Sequence, residues 1–298
     1  MRIASNTISD TIISQIDQLS TQQATLQNEV STGQKITEPS DDPSTVSDAL
    51  GLESQLSELK QYGSNATQAL TVAQASSTGL TTLKGVSDRA GELETLGTGS
   101  LGPSAMASYG TEANQLIEEA VQAANTNFNG SYIYGGTATG TPPFTVTRDS
   151  SGDVTAVAYA GNSSQAGIPL SAGSSVTPST DGTTNAGIAS FINSLVALRD
   201  GLNNGDTTAV ASSNTGLANG EDTIVSAIAT NGGVQTRIQA QQTEQTSQTT
   251  NLQSDLSTDV DADLPTTITQ LDQAQTAYQA ALQSAVSTMQ LSILNYIH

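Results

Sequence analysis

The chain has 298 residues, with 28 acidic against 8 basic side chains for a formal net charge of −20, and it contains no cysteine, no tryptophan and one histidine. Nucleic-acid binding and polybasic membrane anchoring both rely on clustered Lys and Arg, so this charge balance argues against a nucleic-acid or membrane partner. The lack of Cys removes disulfides and thiolate metal sites, and no apolar run approaches the ~18 residues that would suggest a membrane span.

Low aromatic content with abundant Ala, Ser, Thr, Gln and Gly suits long helices packed through small side chains better than a thick globular core. The apolar residues are periodic, which sets the chain apart from a disordered Ser/Thr-rich one. The N-terminal "MRIASNTISDTIISQID" lacks the continuous apolar core of a secretory signal peptide. Ile8, Ile12, Ile16, Leu19, Leu26 and Val30 form one stripe and predict a helix over 3–32, closed by Gly33 as a left-handed cap.

Punctuation follows in "PSDDP". Pro39 and Pro43 turn their preceding residues away from helical geometry, Ser40, Asp41 and Asp42 are capping types, and Pro43 suits a first helical turn. The stripe resumes at Val46, Ala49, Leu52, Leu56, Leu59, Tyr62, Ala66, Ala69 and Ala73, and again at Leu80, Leu83, Val86, Ala90 and Leu93. "GTGSLGP" at 97–103 reads as a loop, with helix returning after it. From Asn127 the pattern turns to short β-rich runs between Gly and Pro, and "PFTVTRDSSGDVTAVAY" predicts a hairpin. Helical signal returns at "IASFINSLVALRDGL" and continues to Ile228. A long final segment has Val234, Ile238, Leu252, Leu256 and Val260 on one face. Pro265 interrupts it before Ile268, Leu271, Ala274, Tyr278, Leu282, Val286, Met289 and Ile293. No fixed-period repeat is visible.

Catalytic and cofactor schemes find little support. The only histidine is His298, a poor place for an oriented base, and "GTGSLG" follows a helical stripe instead of a strand. "DVDADL" at 259–264 has alternating acids, but Leu264 stands where a calcium loop needs Gly and Gln270 where it needs Glu. Asp41–Asp42 reads as a helix cap in preference to an acid/base pair, and Glu118–Glu119 as a solvated helix face. Asn65, Asn129 and Asn162 begin glycosylation-type triplets that such a composition produces by chance. No catalytic residue, metal or cofactor is expected.

Both ends carry a resemblance. "MRIASNTI" with "LSTQQATLQNEVSTGQKITEPSDDPSTVSDAL", and "DADLPTTITQLDQAQTAYQAALQSAVSTMQLSILNYI", resemble the flagellin superfamily. "PSDDP" is closer to hook-associated protein 3, the hook–filament junction protein, than to flagellin proper, which usually carries Ala after the acidic pair. "NTNFNGSYIYGGT" is similar to the entry into the outer domain of junction proteins. The resemblance implies a mainly α fold with a small β module: an inner terminal coiled coil (1–42 with 262–298), a helical rod domain (43–128 with 184–261) and an outer β domain (129–183). The stripes Ile8, Ile12, Ile16, Leu19, Leu26, Val30 and Ile268, Leu271, Tyr278, Leu282, Val286, Met289, Ile293 become an assembly interface. Pro39, Asp41, Asp42, Pro43, Asp261, Asp263 and Pro265 become an inter-domain joint. Further implications are a homo-oligomeric axial structure, hook-associated protein 1 and flagellin as neighbours, an export chaperone, and extracellular placement without a cleaved signal peptide. Narrow stripes on long helices independently call for partners.

Overall fold

The computed structural model describes the backbone of residues 2–297 and the side chains of residues 10–287. Six helices, α1 (Arg2–Thr32), α2 (Pro43–Gly97), α3 (Pro103–Ala124), α4 (Gly182–Asn204), α5 (Thr207–Val260) and α6 (Leu264–Ile297), account for most of it. Between α3 and α4 lie six strands in three antiparallel pairs: β1 (Asn127–Phe128) with β2 (Ser131–Tyr132), β3 (Phe144–Arg148) with β4 (Val154–Tyr159), and β5 (Ile168–Ser171) with β6 (Ser174–Val176). The fold is mainly α with small β elements. It divides into two compact units, Met1–Glu58 with Gln248–His298 and Leu59–Ser247.

Local chemistry accounts for most helix ends. Pro43 and Pro103 occupy first turns, where a missing N–H costs nothing. Asp181 caps α4 by accepting the Thr184 N–H at 2.7 Å. Gly33 takes φ +74°, and its N–H closes α1 onto Glu29 O at 2.8 Å.

The helix following the β elements is broken where the sequence pattern runs it through to Ile228, and the C-terminal interruption lies just before Pro265. The helix beginning in "IASFINSLVALRDGL" stops at Gly205, left-handed at φ 65°, and Asp206 then caps α5 through the Thr208 and Ala209 N–H groups at 2.9 and 3.0 Å. Asn231-Gly232-Gly233, by contrast, runs inside α5 without a break. The Asn231 side chain is buried, donates to Pro178 O at 3.3 Å and accepts from Gln235 Nε2 at 2.6 Å. Tertiary bonding there outweighs the weak helix propensity of Asn and Gly. The C-terminal interruption is at residues 261–263, and Pro265 lies in the first turn of α6.

The Leu59–Ser247 unit holds the main core. Leu80, Leu83, Val86 and Leu93 of α2, Ile117 and Ala120 of α3, Ile188, Phe191, Leu195 and Leu198 of α4 and Val210, Leu217 and Ile224 of α5 share one buried cluster, joined by Phe144, Val154 and Val157 of the β3–β4 hairpin. That hairpin's outer edges are closed by side-chain amides. Asn125 exchanges two bonds with Phe144 N and O at 2.9 Å each, and Asn193 does the same with Val157 at 2.8 Å each. Exposed strand edges are thereby satisfied without a further strand. Buried Arg199 donates to Val154 O at 2.6 Å and to Asn114 Oδ1 at 3.1 Å, tying β4 to α3 and α4. Tyr134, wholly buried, donates to Ser76 O at 2.8 Å, and burial pushes its hydroxyl pKa up to about 12.

Candidate functional site

The other unit, built from both ends of the chain, contains the residues that the sequence singles out. Its backbone connection is a two-stranded ladder between α1 and α2 on one side and α5 and α6 on the other. Gln34 and Asp261 form an antiparallel bridge; the Lys35 N–H donates to Val260 O at 2.8 Å, and the Ala262 N–H to Gly33 O at 2.8 Å. Both chain segments therefore leave helical geometry at the same level. Because α1 runs into this ladder and α6 runs out of it, and the two helices pack on each other, they lie antiparallel.

The joint's acids are helix punctuation. Asp42 Oδ1 accepts the Ser44 and Thr45 N–H groups at 3.0 and 3.1 Å, while Oδ2 accepts the Thr45 hydroxyl at 2.8 Å, which caps α2 ahead of Pro43. Asp41 faces back toward the loop, its Oδ2 accepting the Thr37 and Glu38 N–H groups at 3.1 and 2.9 Å around exposed Pro39. Asp263 accepts the Thr266 hydroxyl at 2.7 Å beside exposed Pro265 at the start of α6. Asp261 accepts the Ser257 hydroxyl at the end of α5.

Lys35 completes the joint, and the sequence pattern did not pick it out. Its Nζ donates to Thr258 O at 2.9 Å. A cation at a helix C-terminus offsets the partial negative charge of its unpaired carbonyls, here in a turn that also carries Asp259 and Asp261. The only available signal was its place as the sole base between Arg2 and Lys60.

The Asp41 and Asp42 carboxyls are held below the ordinary aspartate value. For Asp41 the main cause is the Glu38 N–H, followed by that of Thr37; for Asp42 it is the Thr45 hydroxyl, followed by the Thr45 N–H, with nearby Lys35 contributing. Both groups are depressed in the folded chain. Their stabilisation is therefore complete above pH 3.8 and is lost as pH falls through the lower folded values. Acidification below pH 3.8 should accordingly fray the start of α2, read by amide exchange at Ser44 and Thr45. Asp42→Asn, which keeps an acceptor that does not titrate, should remove most of that pH response. An unchanged response in Asp42→Asn would mean that another group controls the joint.

Leu26 of α1 is 6% exposed, with Ala274 and Ala285 of α6 similarly buried, whereas Ile12, Ile16, Leu19, Val30, Leu271 and Tyr278 are half-buried. Ile268, Leu282 and Val286 remain 45%, 40% and 55% exposed, as does Ile13 at 47%. The helix pair thus covers part of each stripe and leaves the rest facing outward. The side chains of Ile8, Met289 and Ile293 lie outside the described residues. Beside the joint, Ile36, Pro39, Val46, Leu50 and Val260 line an open groove.

Among the described residues, no group of three or more His, Cys, Asp or Glu side chains could hold a metal ion, and no helix is long and apolar enough to cross a membrane. Of the "GTGSLG" segment, Gly97 ends α2 and residues 98–102 connect it to α3. Glu118 is more than a solvated acid: it forms an ion pair with Arg148 of β3.

Residues 3–139 match the model of the bacterial flagellin N-terminal helical region. No curated protein matches significantly. Among solved structures, a flagellar hook-associated protein of Vibrio parahaemolyticus aligns at 19% identity and TM-score 0.66, over 74% of this chain and 99% of that one. FlgL of Bacillus cereus aligns at 20% identity and TM-score 0.60, over 70% and 99%. FlgL of Xanthomonas campestris aligns at 14% and TM-score 0.56, over 69% and 99%.

Proposed function

From a flagellin-related fold that matches flagellar hook-associated proteins in structure, we propose that this chain is a structural, non-catalytic subunit of the bacterial flagellum that joins hook to filament. The observation that carries the reading is the antiparallel α1–α6 pair, whose outward apolar residues Ile13, Ile268, Leu282 and Val286 are left uncovered. Such a surface calls for further copies around it. In this reading the inner coiled coil is 1–42 with 262–298, the rod is 43–128 with 184–261, and residues 129–183 face outward. Hook-associated protein 1 lies on the hook side, flagellin on the filament side, and an export chaperone holds the chain before secretion.

The alternative is a flagellin that polymerises into the filament. The "PSDDP" joint and the modest β module favour the junction role. A junction subunit joins two unlike neighbours and stops, whereas a filament subunit binds its own kind without limit. Deleting the gene should therefore leave hooks without filaments and release flagellin into the medium, and labelled protein should sit in a narrow band at the filament base. Label along whole filaments, or purified protein growing into long filaments alone, would assign the chain as flagellin instead.

A further inference from the structure

We propose that the β5–β6 hairpin is a strap that opens on its own while the rest of the Leu59–Ser247 unit stays folded, uncovering a narrow alanine seam on α2. Among the described residues, the hairpin pairs with no other strand. Its Leu170 and Val176 close over Ala66, Ala69 and Ala73 of α2 and Ile238 of α5, in a cluster separate from the main core. Three polar clamps hold it down. Asn65 Nδ2 donates to Pro169 O at 3.0 Å, Gln245 Nε2 to Leu170 O at 2.6 Å, and Arg237 Nη2 to Ser174 Oγ at 2.8 Å.

Two features make this cover easy to lift. A lone two-stranded hairpin is marginal in water, so its closed state rests on that small cluster and those clamps. In addition, Gln245 is 4% exposed and its Oε1 accepts from no protein donor among the described residues. A buried acceptor without a donor is unfavourable, and opening returns it to water. The β3–β4 hairpin is held quite differently. Asn125 and Asn193 close its two edges, Arg199 holds Val154 O, and Phe144, Val154 and Val157 belong to the main core. Elements with few buried apolar contacts open sub-globally, independently of the unit that carries them. The free chain therefore has a latched form and an unlatched form, distinguished by whether the small side chains at 66, 69 and 73 meet the hairpin or solvent.

Hydrogen exchange on the full chain tests this, with residues 144–159 as an internal reference. In the unaltered protein, amides of 168–176 should exchange at least about a hundredfold faster than the bonded amides of β3 and β4. Combining Asn65→Ala with Arg237→Ala should speed exchange in 168–176 a further tenfold or so while leaving 144–159 unchanged. Equal rates in the two hairpins of the unaltered protein would overturn the proposal, because both would then open only with the core. Parallel acceleration of both hairpins in the double variant would overturn it as well.

Discussion

Leu282→Asp is expected to abolish incorporation of the chain into flagella while leaving the thermal unfolding of Leu59–Ser247 unchanged. Leu282 lies on α6 and is 40% exposed, so the free chain keeps an introduced carboxylate in contact with water. Packing against a neighbouring copy would remove that water. Burying an unpaired carboxylate costs several kcal/mol, about a hundredfold or more in association even after partial relaxation. The surroundings make rescue by a partner improbable on charge grounds: this unit carries fourteen acidic residues against two basic ones. Ile12→Asp on the half-buried face of α1 should act in the same direction. The measurement is the amount of each variant in sheared flagella against the amount secreted. Normal incorporation of both would eliminate the terminal helices as the assembly surface.

The largest effect on folding is expected from Phe191→Ala. Phe191 is wholly buried on α4, and α5 approaches it so closely that a Cβ built at Gly220 would stand 2.5 Å from its Cβ and Cδ2. Truncation to alanine removes the ring and leaves a cavity among helices that cannot collapse freely, at about 3–5 kcal/mol. For a unit of this size that corresponds to a melting point about 10 °C lower. Gly220→Ala should also destabilise, by overpacking, at about 1–3 kcal/mol. The two substitutions touch the same space: alanine at 191 keeps its Cβ against the added methyl but removes the ring carbons Cγ and Cδ2, so the double variant should recover part of the overpacking loss and be somewhat more stable than the sum of the single losses predicts. Calorimetry on the four proteins closes the cycle. Strict additivity would show that the contact between Phe191 and Gly220 does not carry the loss.

The helix start at Pro43, the end at Gly33 and the β3–β4 hairpin were legible because each depends on residues that are neighbours in the chain, whereas Pro103, read as the end of a loop, opens α3. What the pattern missed depends on distant groups. The break at Gly205 is the exception: its left-handed glycine and the Asp206 cap are chain neighbours, but the apolar pattern running on to Ile228 masked them. Lys35 looked like an isolated base, but it caps a helix that ends more than two hundred residues later. Asn125 and Asn193 likewise gave no sign that their amides would serve as strand edges. In the candidate site, the capping role of Asp42 was readable from its own segment, whereas the ladder between Gln34 and Asp261 was not. Local capping chemistry is written in local sequence; pairing between the two ends is not.

That ladder has a consequence for the order in which the chain acquires structure. Lys35 and Thr258 are bonded across a sequence separation of 223 residues. Closing a flexible loop of that length costs about 5 kcal/mol in chain entropy before any contact between its ends is gained. The Leu59–Ser247 unit also joins distant segments, with Gln235 of α5 bonded to Ala73 O of α2 across 162 residues, but its large buried core offsets that cost. It should fold first and shorten the effective loop, after which the ends can meet. During synthesis, α1 has no α6 to pack on until the last part of the chain has emerged. A chain truncated after residue 257 should therefore present a protease-resistant middle and a digestible leading helix, with protection of the leading helix appearing only in the full chain.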